Sequence, residues 1–143
     1  MPHTTVREAM TPSPTTIPHD ADVTQAARTM IAEDVGSLPV VDGTALVGMV
    51  TDRDLVANVV AKNVDPVKTT VAEVCTESPV IVSPDEPLDT ALARMADAQV
   101  RRLPVVDEGR VVGILSQADV SRAAEPSETG ALVEQISRDP VRD

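Results

Sequence analysis

The chain contains no phenylalanine, tyrosine or tryptophan. No aromatic side chain can stack on a base, and any core must be built from Val, Leu, Ile, Met and Ala. Cys75 is the only cysteine, which excludes an intramolecular disulfide and a cysteine-based metal cluster. It reads as a small core hydrophobe, with an intermolecular disulfide open only if it lies at a dimer contact. His3 and His19 have no second His or Cys at ligand spacing, so no metal site is expected. No motif places a Ser-His-Asp set, and the carboxylates read as solvated faces rather than an acid-base pair, so no catalytic residue is assigned. Basic residues are scarce as well: 12 against 23 acidic give a net charge of −11. That balance argues against nucleic acid and anionic membranes as partners. No stretch approaches the ~20 apolar residues of a membrane span. The opening MPHTTVREAMTP lacks a hydrophobic signal core, so a cytoplasmic protein is expected.

What the sequence does have is an internal repeat. Leu46 to Asp54, LVGMVTDRD, returns 65 residues later as Val111 to Asp119, VVGILSQAD. Residues 6–55 slide over residues 71–120 without a gap, and seventeen of the fifty positions are identical, among them Met30/Met95, Gly48/Gly113, Asp54/Asp119 and the run LPVVD. A repeat of this length usually has an apolar face it cannot hide alone, so two copies are expected to pack as a pseudo-twofold pair. With 143 residues and 42% hydrophobic content, the chain is large enough for one globular domain with a real core.

Each copy reads strand, helix, strand, strand, helix. Val6–Met10 is a short helical turn stopped by Pro12 and Pro14, and Thr15–Ile17 is then a short extended segment. Asp22 followed by Gln25 marks a helix start, and Val23, Ala26, Ala27, Met30 and Ile31 carry that helix to Asp34. Leu38–Val41 and Ala45–Val50 form a hairpin across Asp42-Gly43. After Thr51, Asp54–Asn63 is a helix with Leu55, Val56, Val59 and Val60 as its apolar stripe. In the second copy Val71–Cys75 is the opening turn, Val80–Val82 the strand and Leu88–Gln99 the helix, with Pro87 at its start. Leu103–Val106 and Val111–Leu115 make the second hairpin, and a short helix runs to about Ala124. Pro126–Gly130 is a turn, and Ala131–Ser137 a last helix that docks through Leu132, Val133 and Ile136. The expected division is 1–65, 66–125 and a tail, 126–143.

In both copies a hydroxyl, Thr51 or Ser116, ends a buried strand three residues before an aspartate. Such a pair caps a helix. It is equally suited to holding a ligand, the hydroxyl beside phosphate and the carboxylate across ribose hydroxyls. V-x-E-x-[MC]-T at the head of each copy, LPVVD, and G-x-x-[TS]-x-x-D together resemble the tandem cystathionine beta-synthase (CBS) domain, or Bateman module. The likeness covers about residues 5–125 and extends to small bacterial stand-alone members.

That resemblance implies an α/β (α+β) fold of two βαββα repeats. It also implies a cleft between them for an adenosine-containing ligand such as AMP, ADP, ATP or S-adenosylmethionine, with no required cofactor. Carried over residue by residue, it puts Thr16, Ile17 and Pro18 near the base, Ser37, Leu38, Pro39 and Val40 along the wall, and Thr51 and Asp54 at phosphate and ribose. The second copy offers Ile81, Val82 and Ser83, then Arg102, Leu103, Pro104 and Val105, then Ser116 and Asp119. Arg101 and Arg102 stand where relatives carry basic pairs facing phosphate. The first copy has Gly36-Ser37 there, so Arg53 would have to substitute, and the two sites are not expected to be equivalent. The expected role is a non-enzymatic regulatory sensor in signal transduction, paired as a homodimer, with any effector a separate protein. The alternative is a ligand-free structural or stress-response dimer with vestigial pockets.

Overall fold

Thr5 opens the first helix with a reciprocal cap. In the computed structural model, which describes residues 4–123, its backbone N–H donates to Glu8 Oε1 at 3.2 Å and the Glu8 N–H returns to Thr5 Oγ1 at 3.4 Å. The elements then run in order: α1 (Val6–Ala9), β1 (Thr11–Pro12), β2 (Ile17–Pro18), α2 (Val23–Glu33), β3 (Ser37–Asp42), β4 (Ala45–Thr51) and α3 (Asp52–Leu55), which continues as a π-helical turn over Val56–Val60. The second copy gives α4 (Val71–Val74), β5 (Thr76–Glu77), α5 (Leu88–Ala98), β6 (Arg102–Asp107), β7 (Arg110–Ser116) and α6 (Gln117–Ala123). The architecture is mixed α/β, as expected. The turn at 126–130, the helix at 131–137 and the tail lie outside the described residues.

The two copies agree down to their irregularities. Asp22 Oδ1 accepts the Gln25 N–H at 2.9 Å to start α2, and α2 and α5 both end on a left-handed residue, Asp34 and Gln99, each at φ 55°. Val23, Ala26 and Met30 are the buried face of α2; Leu88, Ala91, Leu92, Met95 and Ala96 are that of α5. The hairpins are antiparallel from Ser37↔Thr51 to Asp42↔Ala45 and from Arg102↔Ser116 to Asp107↔Arg110, with a register shift after Val40 and after Val105.

The compact units are drawn differently from the sequence repeats. Thr15–Pro79 forms one, and residues 4–14 join those from Val80 onward in the other. In the first, Val71 and Ala72 donate to the carbonyls of Ala21 and His19 at 2.8 and 2.9 Å. Val71 and Val74 close a core with Ile17, Val23, Met30, Leu38 and Val50. In the second, Val6 and Arg7 donate to Glu86 and Pro84 at 3.0 and 2.8 Å, and Val6 joins Leu88, Leu92, Met95, Leu103 and Leu115. Each opening turn thus completes the core of the other copy. β5 pairs with β4 through Gly48↔Glu77, and β1 with β7 through Pro12↔Gly113.

Two expectations need correction. Val80–Val82 is not a strand: Val82 makes a single parallel bridge to Val105, while Val80 and Ile81 are exposed. The stripe on the helix after Thr51 is narrower than its spacing suggested. Leu55 packs on the core and Val59 is buried, but Val56 and Val60, about 100° further round, are 59% and 72% exposed. Ile31 on α2 likewise faces solvent.

In place of a strand, side chains hold residues 81–86. Arg94 Nη1 donates to Glu86 Oε1 at 2.8 Å and to the Ile81 carbonyl at 3.0 Å, and the Ser83 N–H donates to Glu86 Oε1 at 3.0 Å. Burial alone would raise the Glu86 carboxyl, but the hydrogen bonds from Arg94 and Ser83 and the Arg94 charge hold it below its ordinary 4.5. A carboxylate with a lowered folded value contributes stability above the unfolded value and loses it as pH falls through the folded one. Acid unfolding should therefore be shallower below pH 4.5 in Glu86→Gln, by urea midpoints taken from pH 3 to 6. Parallel wild-type and variant curves would remove Glu86 from the acid sensitivity.

Candidate ligand sites at the hairpin ends

Thr51 ends β4 and begins α3 with a reciprocal bond pair. Its N–H donates to Asp54 Oδ2 at 2.9 Å, and the Asp54 N–H donates to Thr51 Oγ1 at 3.0 Å. Ser116 and Asp119 repeat this at the end of β7, at 2.9 and 3.0 Å. The capping role read from the sequence is thus realised in both copies, and it fixes each carboxylate against its strand end. The aspartates then part company. Asp119 is 5% exposed and its other oxygen pairs with Arg122, one helical turn on. Asp54 is half-buried, and Ala57 stands where Arg122 does.

In the unit built on the first copy, Ser37 lies opposite Thr51 and is 8% exposed. The Asp52 N–H donates to the Gly36 carbonyl at 2.9 Å, extending the hairpin by one rung. β2 runs parallel to β3 with Ile17 beside Val40 and Pro18 beside Val41. Thr16 is half-buried and Pro18 exposed, whereas Ile17, Leu38 and Val40 point into the core and Pro39 is buried. Arg53 is exposed on α3.

The other unit places Val82 beside Val105, and the Val82 N–H donates to the Pro104 carbonyl at 3.1 Å. Ser83 is half-buried, and Val82, Leu103, Pro104 and Val105 are buried. The Ile81 carbonyl, expected at the base, already accepts from Arg94. Arg102 opens β6 opposite Ser116, and the Gln117 N–H donates to the Arg101 carbonyl at 2.8 Å, the counterpart of the Asp52–Gly36 rung. The fold therefore gathers Arg101, Arg102, Ser116 and Asp119 at one hairpin end, and Ser37, Thr51 and Asp54 at the other. Sequence reasoning passed over Arg94 and Arg122. The three-residue spacing of Asp119 and Arg122 on a helix was the readable signal for the last of these.

Cys75 is half-buried against the Val71 and Val74 side of its core. Burial, then the charges of Glu77 and Asp54, push its thiol above the ordinary 9.0, so it stays protonated at neutral pH. Two open grooves, of about 620 and 400 Å³, run along α2, and neither is lined by the residues expected to bind ligand. Among the described residues no three His, Cys, Asp or Glu side chains come together to hold a metal, and no helix is long and apolar enough to cross a membrane.

Known proteins share this duplicated arrangement. Hypoxic response protein 1 of Mycobacterium tuberculosis is 38% identical over 120 residues, spanning 83% of this chain and 84% of that protein. A crystal structure of Hypoxic Response Protein I with two coordinated zinc ions superposes with a TM-score of 0.79 at 36% identity, covering 85% of this chain and all of that one. CBSX2 in complex with AMP gives 0.75 at 32% identity over 87% of this chain and 98% of that one. The CBS domain pair of MJ0100 with 5′-methylthioadenosine and S-adenosyl-L-methionine gives 0.72 at 33% over 85% and 96%. The CBS domain model itself matches twice, at residues 6–61 and 71–125, once on each hairpin with its capped aspartate, and the chain belongs to the CBS domain family as a tandem pair.

Proposed function

We propose that the protein is a non-enzymatic sensor that binds an adenosine-containing ligand at its hairpin ends and passes the change to a homodimer partner or a separate effector chain. The observation that carries this reading is the strand end fixed twice over: a hydroxyl and an aspartate locked in the same reciprocal bonds, Thr51 with Asp54 and Ser116 with Asp119. Related structures at 32% and 33% identity hold AMP, and 5′-methylthioadenosine with S-adenosylmethionine. The fit to this chain is chemical: a rigid carboxylate accepts from vicinal ribose hydroxyls, and with no aromatic residue the base lies against aliphatic groups and backbone. Among the described residues no nucleophile with a positioned base supports an enzyme; the His19–Asp42 pair, at 3.7 Å, lies on the surface.

A ligand held at a hundred times its Kd stabilises the native state by about 2.7 kcal/mol. For a chain of this length that is a rise in Tm of roughly 5–10 °C. Thermal shift assays with AMP, ADP, ATP, 5′-methylthioadenosine and S-adenosylmethionine should therefore register at least one compound. Asp54→Asn and Asp119→Asn keep an oxygen for the cap and remove the charge, and each should weaken binding at its own unit by about 10–100-fold. Sedimentation of the same samples reads the dimer.

The second reading, a structural dimer with vestigial pockets, is favoured by the Asp119 carboxylate, whose two oxygens are already held by the Ser116 N–H and by Arg122. Indifference to all five compounds would establish it in place of the sensor.

A further inference from the structure

One nitrogen of Arg94 serves two acceptors. Its Nη1 donates to the Ile81 carbonyl at 3.0 Å and to Glu86 Oε1 at 2.8 Å, with one hydrogen for each. Ile81 is exposed. Glu86 ties this contact to a different part of the unit: its carboxylate also accepts the Ser83 N–H at 3.0 Å, and its carbonyl accepts the Val6 N–H at 3.0 Å. The opening turn hangs on the same stretch. The Arg7 N–H donates to the Pro84 carbonyl at 2.8 Å, the Leu88 N–H donates to the Thr4 carbonyl at 2.9 Å, and Arg7 Nη2 reaches Asp85 Oδ1 at 3.0 Å. All of these bonds fall on residues 84–88, which Glu86 anchors. Val6, 0% exposed, is the residue this turn puts into the core.

The other unit has the same backbone rungs without the clamp. There Val71 and Ala72 donate to Ala21 and His19, and the Val23 N–H donates to the Thr69 carbonyl at 2.9 Å. Ala21 and Thr29 stand in place of Glu86 and Arg94. Thr29 Oγ1 donates instead to the Gln25 carbonyl of its own helix at 2.9 Å.

Resting on the adenosine reading above, we infer that Arg94 is the positioning residue that carries ligand arrival at Ile81 to the opening turn at residues 4–9. A ligand donor that takes the Ile81 carbonyl competes with Arg94 for its lone pairs. Arg94, released from one of its two anchors, holds Glu86 less firmly. Residues 84–88 then slacken, and the turn that hangs on them opens more often. The two states are clamp closed and clamp open, and the ligand favours the second. Coupling of this kind is reciprocal, so whatever opens the clamp also tightens the ligand by the same factor.

The test combines residue-resolved hydrogen exchange with calorimetric titration of the full chain by AMP, 5′-methylthioadenosine and S-adenosylmethionine, which share one base. At saturation, each compound that binds should speed exchange at the Val6, Arg7 and Leu88 amides by about 3–10-fold, the scale of one hydrogen bond. Arg94→Met should exchange at that faster rate without ligand, gain nothing further from it, and bind it about 3–10-fold tighter. Val71 and Ala72 should exchange alike in wild type and variant. Glu86→Gln should reproduce the faster exchange, which keeps the question decidable if the methionine variant does not fold. A purely structural Arg94 would loosen the turn without tightening the ligand. That result, or exchange at Val6 and Arg7 within about twofold of wild type in both variants, would overturn the route while leaving the adenosine reading intact. Failure of all three compounds to bind wild type would overturn both.

Discussion

Replacing Gly48 with alanine is expected to destabilise the protein by about 2–3 kcal/mol. A Cβ at that position would lie 2.7 Å from the Thr76 carbonyl oxygen and 2.9 Å from Cys75 Sγ. The oxygen is backbone, in a strand that pairs with β4 through Gly48↔Glu77 and Met49↔Thr76. It can retreat only by opening that pairing, which also loosens Val71 and Val74 from their core. Gly113 is the equivalent glycine, yet its closest neighbour is Met10 Sδ at 2.5 Å, the far end of a flexible side chain, with the Thr11 carbonyl at 3.0 Å. Gly113→Ala should therefore cost about 1 kcal/mol, because Met10 can swing aside. Urea midpoints and Tm separate the two, with a loss of roughly 5–10 °C for Gly48→Ala. A Gly113→Ala protein less stable than Gly48→Ala would contradict the ordering.

The same contact explains what sequence could and could not show. The glycine of G-x-x-[TS]-x-x-D was visible as a motif, but its reason is a backbone crossing over it from residues 75–76, which no local pattern reveals. The helices at 23–33 and 88–98 and both hairpins were legible because their apolar spacing and turn residues are local signals. The exchange of opening turns was not. Val6 and Val71 head copies of one motif, so nothing in either segment says which copy's core it will enter. β1 and β5 are two-residue pairings of mostly polar, exposed chain, invisible to any hydrophobic period.

At the candidate sites the capping bonds of Asp54 and Asp119 followed directly from the three-residue spacing to Thr51 and Ser116. The buried state of Arg101 Nε and Gln117 Nε2 did not, since burial of a polar atom depends on neighbours distant in the chain.

Leu115→Ala should have the largest effect of any single truncation described, about 3–5 kcal/mol. Leu115 is 0% exposed and sits opposite Leu103, itself 1% exposed, in the core that also holds Val6, Leu92, Met95 and Val120. That core contains no ring. The void left by the missing methyls would be edged by Val, Leu, Met and Ala, and only the methionines, Met95 within the core and Met10 packed against it, have the length and flexibility to lean into it. Native stabilities are of the order of 5–15 kcal/mol, so this loss is about a fifth of the whole or more. Val50 is the equivalent residue in the first copy, also 0% exposed and paired with Leu38. It is one methylene smaller, and Val50→Ala should cost about 1 kcal/mol less. Leu115 also precedes Ser116, whose N–H holds Asp119. If the adenosine ligand proposed above binds, loosening that strand end should weaken it at Asp119 and spare Asp54. Urea denaturation gives the first quantity and titration of the folded variant the second. A loss below about 1 kcal/mol would mean the core closes over the gap and is not the tightly filled assembly its burial describes.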